Sequence, residues 1–113
     1  MINAYSFGSI TIDGKHYSHD VIVYPNRVEA NWWRQEGHGL CPADINQVMV
    51  EKPEILIIGC GASSCLRVPP ETRRYIESQG IKLMALPTTQ ACQEFNRLLK
   101  EQKRVVAGLH LTC

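Results

Sequence analysis

Polar and apolar residues trade places quickly over the first third of the chain and settle into apolar runs beyond residue 54. Ile10-Thr11-Ile12 and Lys15-His16-Tyr17 flank Asp13-Gly14. That pair tolerates the positive φ of a type I′ turn, so a β-hairpin is predicted there. Val21-Ile22-Val23-Tyr24 reads as a strand turned by Pro25-Asn26, with Arg27 to Trp32 returning beside it. The first third thus predicts an antiparallel β-meander. Gln35 to Leu40 follows as a polar, glycine-bearing loop around His38.

The period then changes. Pro42 suits the first turn of a short helix, in which Ile45, Val48 and Met49 form a narrow apolar stripe before Lys52-Pro53 stops it. Ile55 to Ile58 is continuously apolar, as in a strand covered on both faces. Pro70 opens a second helix through Tyr75-Ile76, with Gly80 at its C-terminal end. Ile81 to Leu86 is the next strand. Thr88 or Thr89 is the expected N-cap of the strongest helix, whose Ala91, Cys92, Phe95, Leu98 and Leu99 share one face. Val105 to Leu111 closes the chain as a strand. Strand, helix, strand, helix, strand implies right-handed crossovers and an α/β fold with a largely parallel core.

Composition changes this picture little. The chain of 113 residues has room for one domain. A net charge of +1 supplies no field to gather nucleic acid or an anionic membrane. The opening MINAYSFGSI has neither the basic start nor the apolar run of a signal peptide. No stretch reaches the roughly 18 apolar residues of a membrane helix, so a cytoplasmic location is expected. Five cysteines, an odd number without zinc-finger spacing, read as reduced thiols.

Candidate chemistry centres on Ile55 to Leu66, ILIIGCGASSCL. A dinucleotide fingerprint needs Gly-x-Gly-x-x-Gly opening a helix. Here Ser64 stands at the third glycine position, Pro69-Pro70 delays the helix, and the next strand ends in Leu86-Pro87 without an acidic residue. The Gly-Lys-Ser/Thr of a P-loop is also missing. Cys60 and Cys65 are too far apart for the usual redox pair or zinc knuckle. His16 and His19 point to opposite faces of extended chain. His38 lies in a loop, and His110 in an apolar strand reads as a hydrogen-bonded core residue. No metal set or cofactor is assigned. What remains is the edge where loops follow parallel strands, and ligands bind at such edges. Gly59, Cys60, Gly61, Thr88, Thr89 and Asn96 would line a pocket for a small anion there, with Asp20 or His38 reaching in as acid or base. The plainer alternative is that the threonines cap and the glycines turn.

Taken in order, several residues resemble a known family. They are Tyr17, Asp20, Val21-Ile22-Val23, Trp33-Arg34, His38, Pro42-Ala43-Asp44, Ile57-Ile58-Gly59-Cys60-Gly61, Leu66-Arg67-Val68-Pro69, Gly80-Ile81, Thr89-Gln90-Ala91, Phe95-Asn96 and His110-Leu111-Thr112-Cys113. The run is similar to the small α/β domain shared by the adipogenesis-associated domain protein, the mitochondrial complex I assembly factor 3 and many uncharacterised prokaryotic proteins. The resemblance implies a three-layer fold in one domain, 1–113. Its central sheet would be mixed and mostly parallel, with flanking helices and a β-layer from the N-terminal meander. It brings no catalytic activity, and the better-known members act through protein partners. A non-catalytic protein-interaction or assembly-factor-like module is therefore expected, rather than an enzyme. The positions matching the family are Asp20, Trp33, Gly59, Gly61, Thr89, Asn96 and His110, of which Trp33 reads equally as core and Asn96 as a bond to a neighbouring loop. Cys60 and Cys65 look particular to this chain. Without a mitochondrial presequence, a role in complex I assembly is not carried over.

Overall fold

In the computed structural model, which describes residues 1–113, Asp13 (φ 49°) and Gly14 (φ 82°) both adopt the left-handed conformation. A type I′ hairpin requires this of both its central residues. The turn joins β2 (Ser9–Ile12) to β3 (Lys15–Tyr17). A strand not anticipated from the pattern, β1 (Ile2–Ser6), pairs antiparallel with β2 and completes a three-stranded sheet.

The next two strands do not continue that sheet. β4 (Val21–Val23) and β5 (Val28–Glu29) pair antiparallel and enter a second, five-stranded sheet in the order β5-β4-β8-β6-β7. All three residues of β4 are buried, and a strand apolar on both sides must be covered on both faces. An interior position beside β8 supplies that cover. β6 (Ile55–Gly59), β7 (Lys82–Leu86) and β8 (Val105–Leu109) run parallel, while β4 runs antiparallel to β8.

Alternation along β6 sends Leu56 and Ile58 to one face and Ile57 to the other. The first face packs under α1 (Asn46–Glu51), the 3₁₀ turn Pro42–Ile45 that precedes it, and α2 (Pro70–Ser78), against Ile45, Val48, Met49 and Ile76. The second meets α3 (Thr88–Lys100) and the small sheet through Ala91, Phe95, Leu98, Ile2, Ile10 and Ile12. The layers are therefore helices, sheet, and then helix with small sheet. α1 ends where Lys52 turns left-handed (φ 48°) ahead of Pro53. Neither threonine caps α3: Pro87 holds the N-cap position and no side chain caps it, because the Thr88 hydroxyl is turned inward.

Candidate functional site

β6, β7 and β8 end together at Gly59, Leu86 and Leu109. This is the edge singled out by the sequence, and the chain's own residues 110–113 cross part of it. Ala62 N–H donates to Thr112 C=O at 2.7 Å, and Cys65 N–H donates to Cys113 C=O at 2.9 Å. Gly61 sits at φ 101°, and a Cβ there would stand 2.5 Å from the Cys113 backbone. Thr88 is fully buried. Its Oγ1 accepts from Gly61 N–H at 2.8 Å and donates to His110 C=O at 2.7 Å. Asn96, on the next turns of α3, accepts from Ile2 N–H at 2.9 Å and donates to Ile2 C=O at 2.8 Å, fastening β1 to the helix. Thr89 is exposed beside Cys92, Gln93 and β1. Cys60 is buried, its thiol 3.6 Å from Ile58 C=O, and burial pushes its pKa up. Cys65 is a half-buried free thiol. These residues bind one another or stand apart. They do not converge on an open cleft.

Asp20, His110 and His38 do come together, and Trp33 lines a cavity beside Asp20. The antiparallel β4–β8 pairing sets Val21 opposite Leu109, so Asp20, just before β4, meets His110, just after β8. Asp20 Oδ2 accepts from His110 Nδ1 at 2.8 Å and Oδ1 accepts from Leu111 N–H at 2.8 Å. Arg34 Nη1 lies 2.9 Å from Oδ2 as an ion pair. Arg34 Nη2 donates to Gly37 C=O at 3.2 Å and is 3.1 Å from His110 Nδ1. A guanidinium cannot accept a hydrogen bond. A proton on Nδ1 therefore goes to the bond with Asp20, and in the neutral ring with that tautomer the lone pair is on Nε2.

Burial pushes the Asp20 pKa up, but hydrogen bonds from His110, Leu111 N–H and Arg34 outweigh it and hold the carboxyl below its usual range. With three donors on it, Asp20 orients its neighbours; it is no free base. The Arg34 guanidinium stacks 4.8 Å from the Trp32 ring, and Trp32 Nε1 donates to Asp44 C=O at 3.0 Å. Neither Arg34 nor Trp32 stands out as a site residue from the sequence alone. The i, i+2 spacing of Trp32 and Arg34 on extended chain was the available sign that they share a face.

This network forms one wall of a cavity of about 420 Å³, lined among others by Ser18, Asp20, Trp33, Arg34, Leu111 and Thr112. Trp33 stands at it with 82% of its surface exposed, so it is not core. The exposed His38 ring approaches His110 edge-on at 5.9 Å between centroids. Cys113 Sγ lies 3.8 Å from His38 Nε2. One donor atom from each of His38, His110 and Cys113 falls within 4.8 Å of the other two, which makes them the residues able to share a metal ion.

A family profile described as "Protein of unknown function (DUF498/DUF598)" matches residues 2–110. Among solved structures, a conserved hypothetical protein from Pyrococcus horikoshii is 29% identical, with a TM-score of 0.87 over 100% of this chain and 99% of its own. A Bartonella henselae protein described as an outer membrane protein is 27% identical, with a TM-score of 0.84 over 99% of this chain and 94% of its own. That description belongs to the Bartonella protein. In this chain no helix is long and apolar enough to cross a membrane. A Bordetella pertussis protein, described as a Mth938-like domain, is 24% identical with a TM-score of 0.70 over 98% of this chain and 85% of its own, and bears on the fold alone.

Proposed function

The chain belongs to this DUF498/DUF598, Mth938-like family, which includes the adipogenesis-associated domain protein and complex I assembly factor 3, and we propose that it is a non-catalytic module that binds a protein partner over the Trp33 cavity. The observation that carries the reading is the exposure of Trp33 beside a rigid, charged wall. Tryptophan is enriched at interface hot spots, where a partner covers the ring and excludes water. Covering an indole of about 200 Å² at roughly 25 cal/mol per Å² is worth on the order of several kcal/mol. A small ligand inside the cavity would leave most of that ring in water, whereas a protein surface would cover it. The wall behind it is preorganised, since Arg34 is fixed by Asp20, Gly37 and Trp32. A cytoplasmic setting goes with this reading and is supported by the five free thiols.

The test places a photo-crosslinking amino acid at position 33 and, as control, at Val50, which is 75% exposed elsewhere. A discrete adduct from position 33, absent from position 50 and competed by unlabelled protein but not by its Trp33→Ala form, is the expected result. The same smear from both positions would count against a docking surface. A second reading is a small-anion site in the same cavity. It is favoured by Arg34 Nε, which has no acceptor within the chain although its side chain is only 6% exposed. A thermal-shift scan with small carboxylates and phosphates separates the two. An anion that raises the midpoint in wild type but not in Arg34→Lys supports the second.

A further inference from the structure

We propose that His38, His110 and Cys113 form a binding site for a borderline-soft divalent ion, zinc foremost. The cluster adjoins the Trp33 cavity, since Thr112 lines that cavity and meets His110 Nε2, but its ligands are not the groups on which the function proposed above rests.

Three observations carry it. The first is spacing. In a tetrahedral site with metal–nitrogen bonds of about 2.0 Å and metal–sulfur bonds of about 2.3 Å, ligand atoms stand roughly 3.5 Å apart. Cys113 Sγ and His38 Nε2 are 3.8 Å apart, and no pair in the set exceeds 4.8 Å. Closing the longest gap takes movement of about one ångström. The His38 main chain is held by Arg67 N–H at 2.9 Å, but its exposed ring can make that movement by side-chain rotation.

The second is orientation. His110 donates Nδ1–H to Asp20, and Asp20 is itself fixed by Leu111 N–H and Arg34. That is the carboxylate–histidine arrangement that sets the tautomer and the ring angle of metal-ligating histidines. In that tautomer it leaves the Nε2 lone pair for a ligand, its hydrogen-bond neighbour being the Thr112 hydroxyl at a weak 3.4 Å. The half-buried carboxylate also offsets the Arg34 cation that would otherwise repel an ion.

The third is donor chemistry. Two imidazoles and a thiolate suit zinc or cobalt and do not suit magnesium or calcium, which take oxygen ligands. Three protein ligands leave a fourth position for water or another ligand. On binding, Cys113 releases its thiol proton to solvent and the sulfur lone pair forms the bond to the metal. Sequence spacing hid the set, because His38 meets His110 and Cys113 only through the folded loop.

The decisive experiment titrates the reduced full chain with cobalt(II) alone. The expected result is one ion per chain, with a sulfur-to-cobalt charge-transfer band, intense visible bands of tetrahedral cobalt, and bleaching of both by zinc. Cys113→Ser should abolish the charge-transfer band, and Cys41→Ser and Cys65→Ser should leave it intact. His38→Ala alters an exposed loop residue and keeps the fold, and it should weaken binding at least tenfold. Asp20→Asn should weaken it by about 10–100-fold, as loss of an outer-shell partner does. Absence of the band in wild type, its survival in Cys113→Ser, or undiminished affinity in His38→Ala would overturn the proposal.

Discussion

At the β6–β7 half of the sheet edge the Gly59–Gly61 turn, Thr88 and Asn96 direct their hydrogen bonds into the chain itself, whereas at the β8–β4 half Asp20, Arg34 and His110 form a network beside a cavity. Both halves have residues of the kind that bind ligands: glycines at a strand end, a threonine at a helix start, a carboxylate beside an imidazole. The difference lies in what crosses them. Residues 110–113 run over the glycine turn and are held from the other side by the small sheet, with Gly8 N–H and Tyr5 Oη both donating to Leu111 C=O. A strand-end crevice binds ligands only where it is left open. Here the open part is shifted towards the antiparallel strand β4.

If the first half is an internal joint, substitutions there should damage stability before anything else. Within that half the largest effect is expected for Gly61→Ala. It combines a left-handed backbone with a Cβ 2.5 Å from the Cys113 main chain, and neither a flexible side chain nor a small shift relieves a clash with backbone. Strain of about 1–3 kcal/mol and overpacking of similar size add to roughly 4 kcal/mol. Urea unfolding should show a midpoint reduced accordingly. A wild-type midpoint would mean that residues 110–113 do not sit on the turn.

Thr88→Val follows. The two side chains share a shape, but valine strands Gly61 N–H and His110 C=O in the interior. Each buried group left unpaired costs about 1–3 kcal/mol, so a loss near 3 kcal/mol is expected. Thr88→Ser, which keeps the hydroxyl, should recover most of it. If serine and valine cost the same, packing holds the joint and the hydroxyl does not.

In the open half the mark is a pH dependence. A carboxyl held below its usual range in the folded state adds stability above the unfolded value of about 3.9. That contribution is lost as the pH falls through the folded value. Asparagine cannot titrate. Asp20→Asn should therefore cost about 2 kcal/mol at neutral pH, the worth of hydrogen bonds to a charged group. The gap from wild type should narrow as urea melts are repeated below about pH 4. A gap that stays constant down to pH 3 would mean that the Asp20 charge is not what holds His110 and Arg34.

How much of this was legible follows from the range of each interaction. The β-α-β-α-β half could be read because its signals are local: apolar runs, prolines at helix starts, glycine or lysine at helix ends. β1 escaped because Ile2 is the only buried side chain among its five residues, too few for an alternation. The sheet to which β4 belongs depends on pairing with β8, some eighty residues on, which no local pattern records. Glycines and threonines at the strand ends were visible, but whether they face a ligand or the chain's own end depends on where residues 110–113 pass. Asp20 and His110 were visible singly, and only the β4–β8 register brings them together.

The smallest expected effect on stability tests the comparison most closely, because it sets two neighbouring tryptophans against each other. Trp32 is 8% exposed, packs against Gly108 at a distance that leaves no room for a Cβ, and bonds Asp44. Trp33, one residue on, is 82% exposed. Asn31, left-handed at φ 58°, breaks the strand alternation just before them, so sequence parity could not say which ring turns inward. Trp33→Ala should change unfolding free energy by no more than about 0.5 kcal/mol, the ordinary range for a surface site. Trp32→Ala should cost about 3–5 kcal/mol. Equal losses at the two positions would mean that Trp33 is covered by the chain itself, and the open half of the edge would then be as closed as the other.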